Sequence, residues 1–96
     1  MRCAELLQRH RAQILSIAAQ HGASEVRVFG SAARGEDRAD SDIDILVRAG
    51  PNTSPWFPAG LIEDLQALLG HKVDVVTEGA LHWTIRDQVL REARPL

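Results

Sequence analysis

Cysteine, methionine and aromatic residues are all scarce in this chain of 96 residues, which holds one Cys, one Met, two Trp, two Phe and no Tyr. The lone Cys3 excludes an internal disulfide and any metal site built on several thiols, which fits a reducing, cytoplasmic setting. Also lacking is any apolar run near the ~20 residues that span a bilayer, and residues 1–20 carry charges throughout, unlike a signal peptide. Neither charge is in excess: 11 Lys+Arg against 13 Asp+Glu leave a formal −2. A general nucleic-acid binder would show a clustered basic surplus, so a polymerase-like grip on duplex is not expected. Repeats, linkers and low-complexity tracts are missing. What is present is 45% hydrophobic residues, enough for one small core that buries about two-thirds of the unfolded surface. The expectation is a single domain over residues 1–96.

From Ala4 to Gln20 the apolar residues Leu6, Leu7, Ile14, Ile17 and Ala18 recur at helical spacing, and Gly22 follows as a C-terminal stop. Glu25 to Phe29 alternates and is β-branched, so it reads as a strand ending on Gly30. Ser31 to Ala33 suit a helical turn, and Gly35 to Ser41 a polar loop. Asp42 to Val47 alternates again, with Ile43, Ile45 and Val47 facing one side. Pro51, Pro55, Pro58 and Gly50 exclude regular structure from the segment between Arg48 and Pro58. Leu61, Ile62, Leu65, Leu68 and Leu69 make a helix closed by Gly70. Lys72 to Thr77 is a third strand, and Leu81, Ile85, Val89 and Ala93 give a last helix ending before Pro95. The order αβ(α)βαβα argues for an α/β domain, a small three-stranded sheet packed with helices.

Asp42 and Asp44 stand two apart in a strand, so both carboxylates leave the same face while Ile43 and Ile45 enter the core. Like charges at that spacing repel, and neither has an evident basic neighbour in the strand. A hard divalent cation with oxygen ligands resolves the repulsion, and Mg²⁺ takes one or two carboxylates together with phosphates and waters. Taken alone, such a pair is more often the solvated side of an edge strand. Three neighbouring features reverse that preference. Gly30-Ser31 closes one strand and opens a helical turn, offering backbone N–H groups and a hydroxyl to an anion. Ala32 to Ser41, ten residues, lets the second strand return beside the first. Asp74 sits between Val73 and Val75, a carboxylate inside an apolar strand where propensity favours Val or Thr. Together they make a polyphosphate cradle and three acids suited to in-line phosphoryl or nucleotidyl transfer with paired metal ions.

Gly-Ser, ten residues, Asp-x-Asp and a third Asp in a later strand resemble the nucleotidyltransferases of the DNA polymerase beta superfamily. The short length, with GSAARG and SDIDILV, is similar to the minimal nucleotidyltransferase branch, over nearly the whole chain. The resemblance implies a minimal nucleotidyltransferase fold with a mixed sheet. It implies that Gly30 and Ser31 hold the β- and γ-phosphates of ATP, that Asp42 and Asp44 bind Mg²⁺, and that Asp74 completes the metal site and helps activate the attacking hydroxyl. AMP would be transferred and pyrophosphate released. Members of this branch pair with HEPN-domain proteins in toxin–antitoxin modules, where the nucleotidyltransferase is the antitoxin and adenylylates a tyrosine of the toxin. This chain has no Tyr, so an acceptor tyrosine must be on another molecule.

Arg34 follows Ser31 by three residues and would return to the same side of a helical turn as a further phosphate contact; a solvated arginine, or one paired with Glu36 or Asp42, is an equal alternative. Lys72 and Arg27 read as surface charges. His10, His21, His71 and His82 lack metal-ligand spacing. Trp56 and Phe57 read as local packing or as a base or partner contact, and Trp83 lies off the apolar stripe of its helix. Three readings of function remain open. One is a Mg²⁺-dependent protein adenylyltransferase that neutralises a HEPN toxin. Another is an antitoxin acting by occlusion alone, which the absence of an added acceptor domain favours. The third is adenylyl transfer to RNA or a small molecule.

Overall fold

The computed structural model describes residues 2–36, 38 and 41–96, so Asp37, Ala39 and Asp40 of the expected polar loop lie outside the described residues. The first helical stretch divides in two, α1 (Cys3–Arg9) and α2 (Arg11–Gln20), with the break at His10. The break lets Cys3 and Leu7 of α1 and Ile14 and Ala18 of α2 all reach the core. There follow β1 (Ala23–Phe29), α3 (Gly30–Arg34), β2 (Ile43–Ala49), α4 (Ala59–Leu69), β3 (Val73–Thr77), a 3-10 turn at Glu78–Ala80, α5 (Trp83–Glu92) and β4 (Arg94–Pro95). Gly70 ends α4 in the left-handed region at φ 62°, as a C-terminal glycine should.

The sheet order is β3-β2-β1-β4. β2 runs antiparallel to β1 and parallel to β3, so the sheet is mixed as expected. It has four strands rather than three, because Arg94 and Pro95 pair with Val28 and Arg27 beyond the last helix. A proline, with no N–H to give, is tolerated there because β4 is an edge. The main core lies on one face, where Val26, Val28, Ile43, Ile45, Val47, Val73 and Val75 meet Leu7, Ile14, Ala18, Leu61, Leu65 and Leu69 of the helices. The alternation of β2 and β3 is therefore that of strands with one core face and one site face.

β1 departs from strict alternation. Ala23 pairs with Ala49 and Ser24 with Arg48, but Arg27 then pairs with Leu46, an offset of one residue. Glu25 has φ 51°, the positive angle of a β-bulge. The bulge explains how Ala23 and Val26, three apart, are both buried.

Arg27, expected at the surface, has only 19% of its side chain exposed and is paired with Glu78. Arg86 Nη1 also donates to the Glu78 carbonyl at 2.5 Å, so the 3-10 turn is tied both to the sheet and to α5. The hydrogen bond from Arg27 holds the Glu78 carboxyl below its ordinary range, against the opposing effect of burial and with help from the charges of Arg27, Arg48 and Arg86. The last helix begins later than its apolar stripe suggested. His82 caps it, accepting from Thr84 N at 3.2 Å, and Ile85 is 47% exposed while Val89 is buried. Residues four apart drift by about 40° per step around a helix, so a stripe of that spacing cannot stay on one face.

Leu65→Ala, at a side chain 1% exposed, is expected to cost ~2–5 kcal/mol. Trp56→Ala, at a side chain 80% exposed, should change stability by less than about 0.5 kcal/mol. Urea unfolding of the two variants measures both.

Candidate active site

The parallel ladder between β2 and β3 sets Asp44 directly beside Asp74. Asp42 precedes β2 by one residue and stands two before Asp44. The start of the strand is held by Ile43 N donating to the Lys72 carbonyl at 2.9 Å. All three acids thus belong to the face opposite the main core, Asp42 and Asp74 exposed and Asp44 half-buried. On the other side of β2, Phe29 pairs with Asp44, which brings Gly30 against it. A Cβ on Gly30 would lie 2.3 Å from Asp44 Oδ2, and Gly30 has φ 73°. Both the close approach and the backbone angle require glycine at this position. Ser31 follows as the next residue of α3. The structure therefore gathers Gly30, Asp44 and Asp74, with Ser31 and Asp42 adjoining them in the chain.

Burial pushes the Asp44 carboxyl above its ordinary range, and the negative charges of Asp74, Asp42 and Glu92 add to this, with Arg34 opposing. Arg34 is in the same field but is not unengaged. Its Nε donates to Glu36 Oε2 at 3.2 Å and its Nη1 to Glu92 Oε1. Glu36 was one of the partners weighed from sequence; Glu92, 58 residues away, was not. One local signal pointed to it. Glu92 ends α5, where a negative charge opposes the helix dipole, so an acid there needs a tertiary partner.

Among the described residues no group of three or more His, Cys, Asp and Glu side chains closes to metal-binding spacing. The acids share a face and a field rather than a finished cage. The chemistry of the donor set still fits a hard divalent cation. It is all carboxylate oxygen, its most buried member resists ionisation through burial first and its acidic neighbours second, and Mg²⁺ needs only one or two protein carboxylates beside phosphates and waters.

The histidines and aromatic residues have other surroundings. His10 pairs with Gln13, His21 with Asp64, His71 with Cys3, and His82 with Thr84. Phe57 packs on the core. Trp56 and Trp83 are each 80% exposed, and Trp83 stacks on His82 with ring centroids 5.7 Å apart.

A Gly-Ser turn packed on a strand pair that carries side-by-side aspartates is the arrangement expected of a nucleotidyltransferase. Residues 11–96 match the nucleotidyltransferase domain family, and the chain belongs to that family. It is 46% identical over 71 residues to a protein adenylyltransferase, MntA, of Thermococcus cleftensis, covering 74% of this chain and 72% of that protein. A solved structure assigned as a minimal nucleotidyltransferase superposes with a TM-score of 0.87 at 49% identity, over 100% of this chain and 97% of the other. A toxin–antitoxin complex with AMP-PNP shares the fold at a TM-score of 0.74 and 23% identity, over 88% of this chain and 69% of that one. The resemblance read from the Gly-Ser and Asp-x-Asp motif is therefore correct, as is the minimal nucleotidyltransferase fold.

Gly30→Ala is expected to cost ~1–3 kcal/mol through its backbone angle alone and to displace Asp44, lowering any nucleotide affinity together with Tm. Asp44→Asn is expected to do the opposite to stability. A carboxyl whose folded pKa is raised is stabilised below its unfolded value, here 3.8, and loses that stability as pH rises through the folded value. In metal-free buffer at pH 7 the asparagine variant should therefore melt at a higher temperature than wild type. The gap should close below pH ~4; calorimetric scans across pH measure it.

Proposed function

We propose that this chain is a Mg²⁺-dependent protein adenylyltransferase and antitoxin that transfers AMP from ATP to a tyrosine hydroxyl of a HEPN-domain toxin in the cytoplasm. The observation that carries the reading is the register of Asp44 beside Asp74, with Gly30 in contact with Asp44 on the other side. The relative from Thermococcus cleftensis supports protein as the acceptor, and the complex with AMP-PNP supports a toxin partner and an adenine nucleotide at the level of the fold.

In this reading Gly30 and Ser31 hold the β- and γ-phosphates, with Arg34 as a further phosphate contact. Asp42, Asp44 and Asp74 would hold Mg²⁺, which when bound supplies positive charge against both the triphosphate and the acids' own repulsion. The acceptor oxygen attacks the α-phosphorus and forms the new P–O bond. The bond from the α-phosphorus to the bridging oxygen breaks, and pyrophosphate leaves with that electron pair. Asp74, exposed at the rim, takes or relays the proton of the attacking hydroxyl. The chain has no Tyr, so in this reading a tyrosine acceptor comes from the partner.

Purified protein incubated with ATP labelled at the α-phosphate, Mg²⁺ and the protein of the neighbouring reading frame is expected to label that protein. Asp42→Ala with Asp44→Ala should reduce transfer at least ~100-fold, as loss of transition-state charge stabilisation does elsewhere. Labelling that survives the double substitution refutes the mechanism. Full neutralisation by the variant with all three aspartates changed to alanine would instead establish occlusion.

A further inference from the structure

We propose that Glu92 is a positioning residue of the nucleotide site, clamping the Arg34 guanidinium so that it is presented to the phosphates held at the Gly30-Ser31 turn. The inference rests on the nucleotidyltransferase reading above and extends it to a residue far away in the chain. Glu92 is the final residue of α5 and Arg34 the final residue of α3. Their ion pair is thus a tie between the two helix ends, and it stands three residues from Ser31. Of its two acidic partners, Arg34 has one that is well placed to hold it. The Glu92 side chain is 16% exposed, against 66% for Glu36.

Burying a carboxylate at the negative end of a helix is doubly unfavourable, through desolvation and through the dipole. The arginine is what offsets it. The benefit passes to Arg34, whose long side chain would otherwise sample many rotamers in solvent. A guanidinium carries five N–H donors; Glu36 and Glu92 engage two, which leaves three for phosphate oxygens. The pair also lies within the field of Asp44, where Arg34 and Glu92 act with opposite sign. The ion pairs of the guanidinium go to Glu36 and Glu92, and Asp44 is not among its partners.

The test is isothermal titration of the full chain with α,β-methylene ATP and Mg²⁺, a nucleotide that cannot lose pyrophosphate, combined with AMP transfer from ATP to the protein of the neighbouring reading frame. Glu92→Ala is expected to weaken binding about five- to tenfold, as is Arg34→Ala. The double variant should be no more than about twofold weaker than Arg34→Ala alone, because the two residues act as one unit. Glu92→Asp should recover part of the loss, and Glu36→Gln should stay within about twofold of wild type. Glu92→Gln provides the same comparison if the alanine variant does not fold. A Glu92→Ala protein with lowered Tm but unchanged affinity would show a merely structural pair and overturn the proposal, as would additive losses in the double variant. Wild type that binds the analogue yet transfers no AMP refutes the reaction proposed above and leaves Glu92 to be judged on affinity. Wild type that binds no nucleotide overturns both.

Discussion

The parallel pairing of β2 with β3 sets two carboxylates, Asp44 and Asp74, side by side, and the sheet must hold them there against their repulsion. Their neighbours in the same strands supply the means. Ile43, Ile45, Val47, Val73 and Val75 are all buried on the opposite face, and each such side chain contributes roughly 1.5–3 kcal/mol of burial. A pair of charges near a surface repels by a few kcal/mol at most, and by about 1 kcal/mol in water. The core therefore decides the register, and the acids have no say in it. Alternation turns this into chemistry, because burying the apolar set puts the acidic set on the other face, where the register aligns Asp44 with Asp74.

The rest of the site is arranged around that ladder. Gly30 can approach Asp44 only because it has no side chain, and the chain turns there into α3. The far end of α3 is tied to α5 through Arg34 and Glu92, while the 3-10 turn before α5 is tied to the sheet through Glu78, Arg27 and Arg86. The helix that follows the third strand is thus fastened at both ends, once at each end of the site face.

The strands, α4 and the Gly30, Ser31, Asp42, Asp44 and Asp74 constellation were legible because they are local patterns: alternation, helical spacing, a glycine before a serine, an acid among valines. What escaped depends on contacts between distant parts of the chain. Nothing at His10 breaks a helix by propensity; the division reflects where Leu7 and Ile14 must pack. The strand at Arg94–Pro95 is two residues long and exists only because β1 offers it an edge. Arg27 reads as an outward charge until Glu78 is known to meet it. The ion pair of Arg34 with Glu92 was not legible either, since Glu92 reaches it only once α5 has docked.

The bulge at Glu25 gives β1 two masters. Its entry is timed by Ala23, which must point into the core, and its exit by Phe29, which arrives level with Asp44 and so sets Gly30 against it. These two demands are out of phase by one residue, and the extra residue absorbs the difference. A perfectly regular strand of the same sequence would keep Ala23 inside but bring Phe29 level with Ile43, leaving the glycine one step further from its aspartate. The irregularity is therefore a phase correction: it lets a strand whose first half is dictated by packing deliver its last residue on the beat that the chemistry requires.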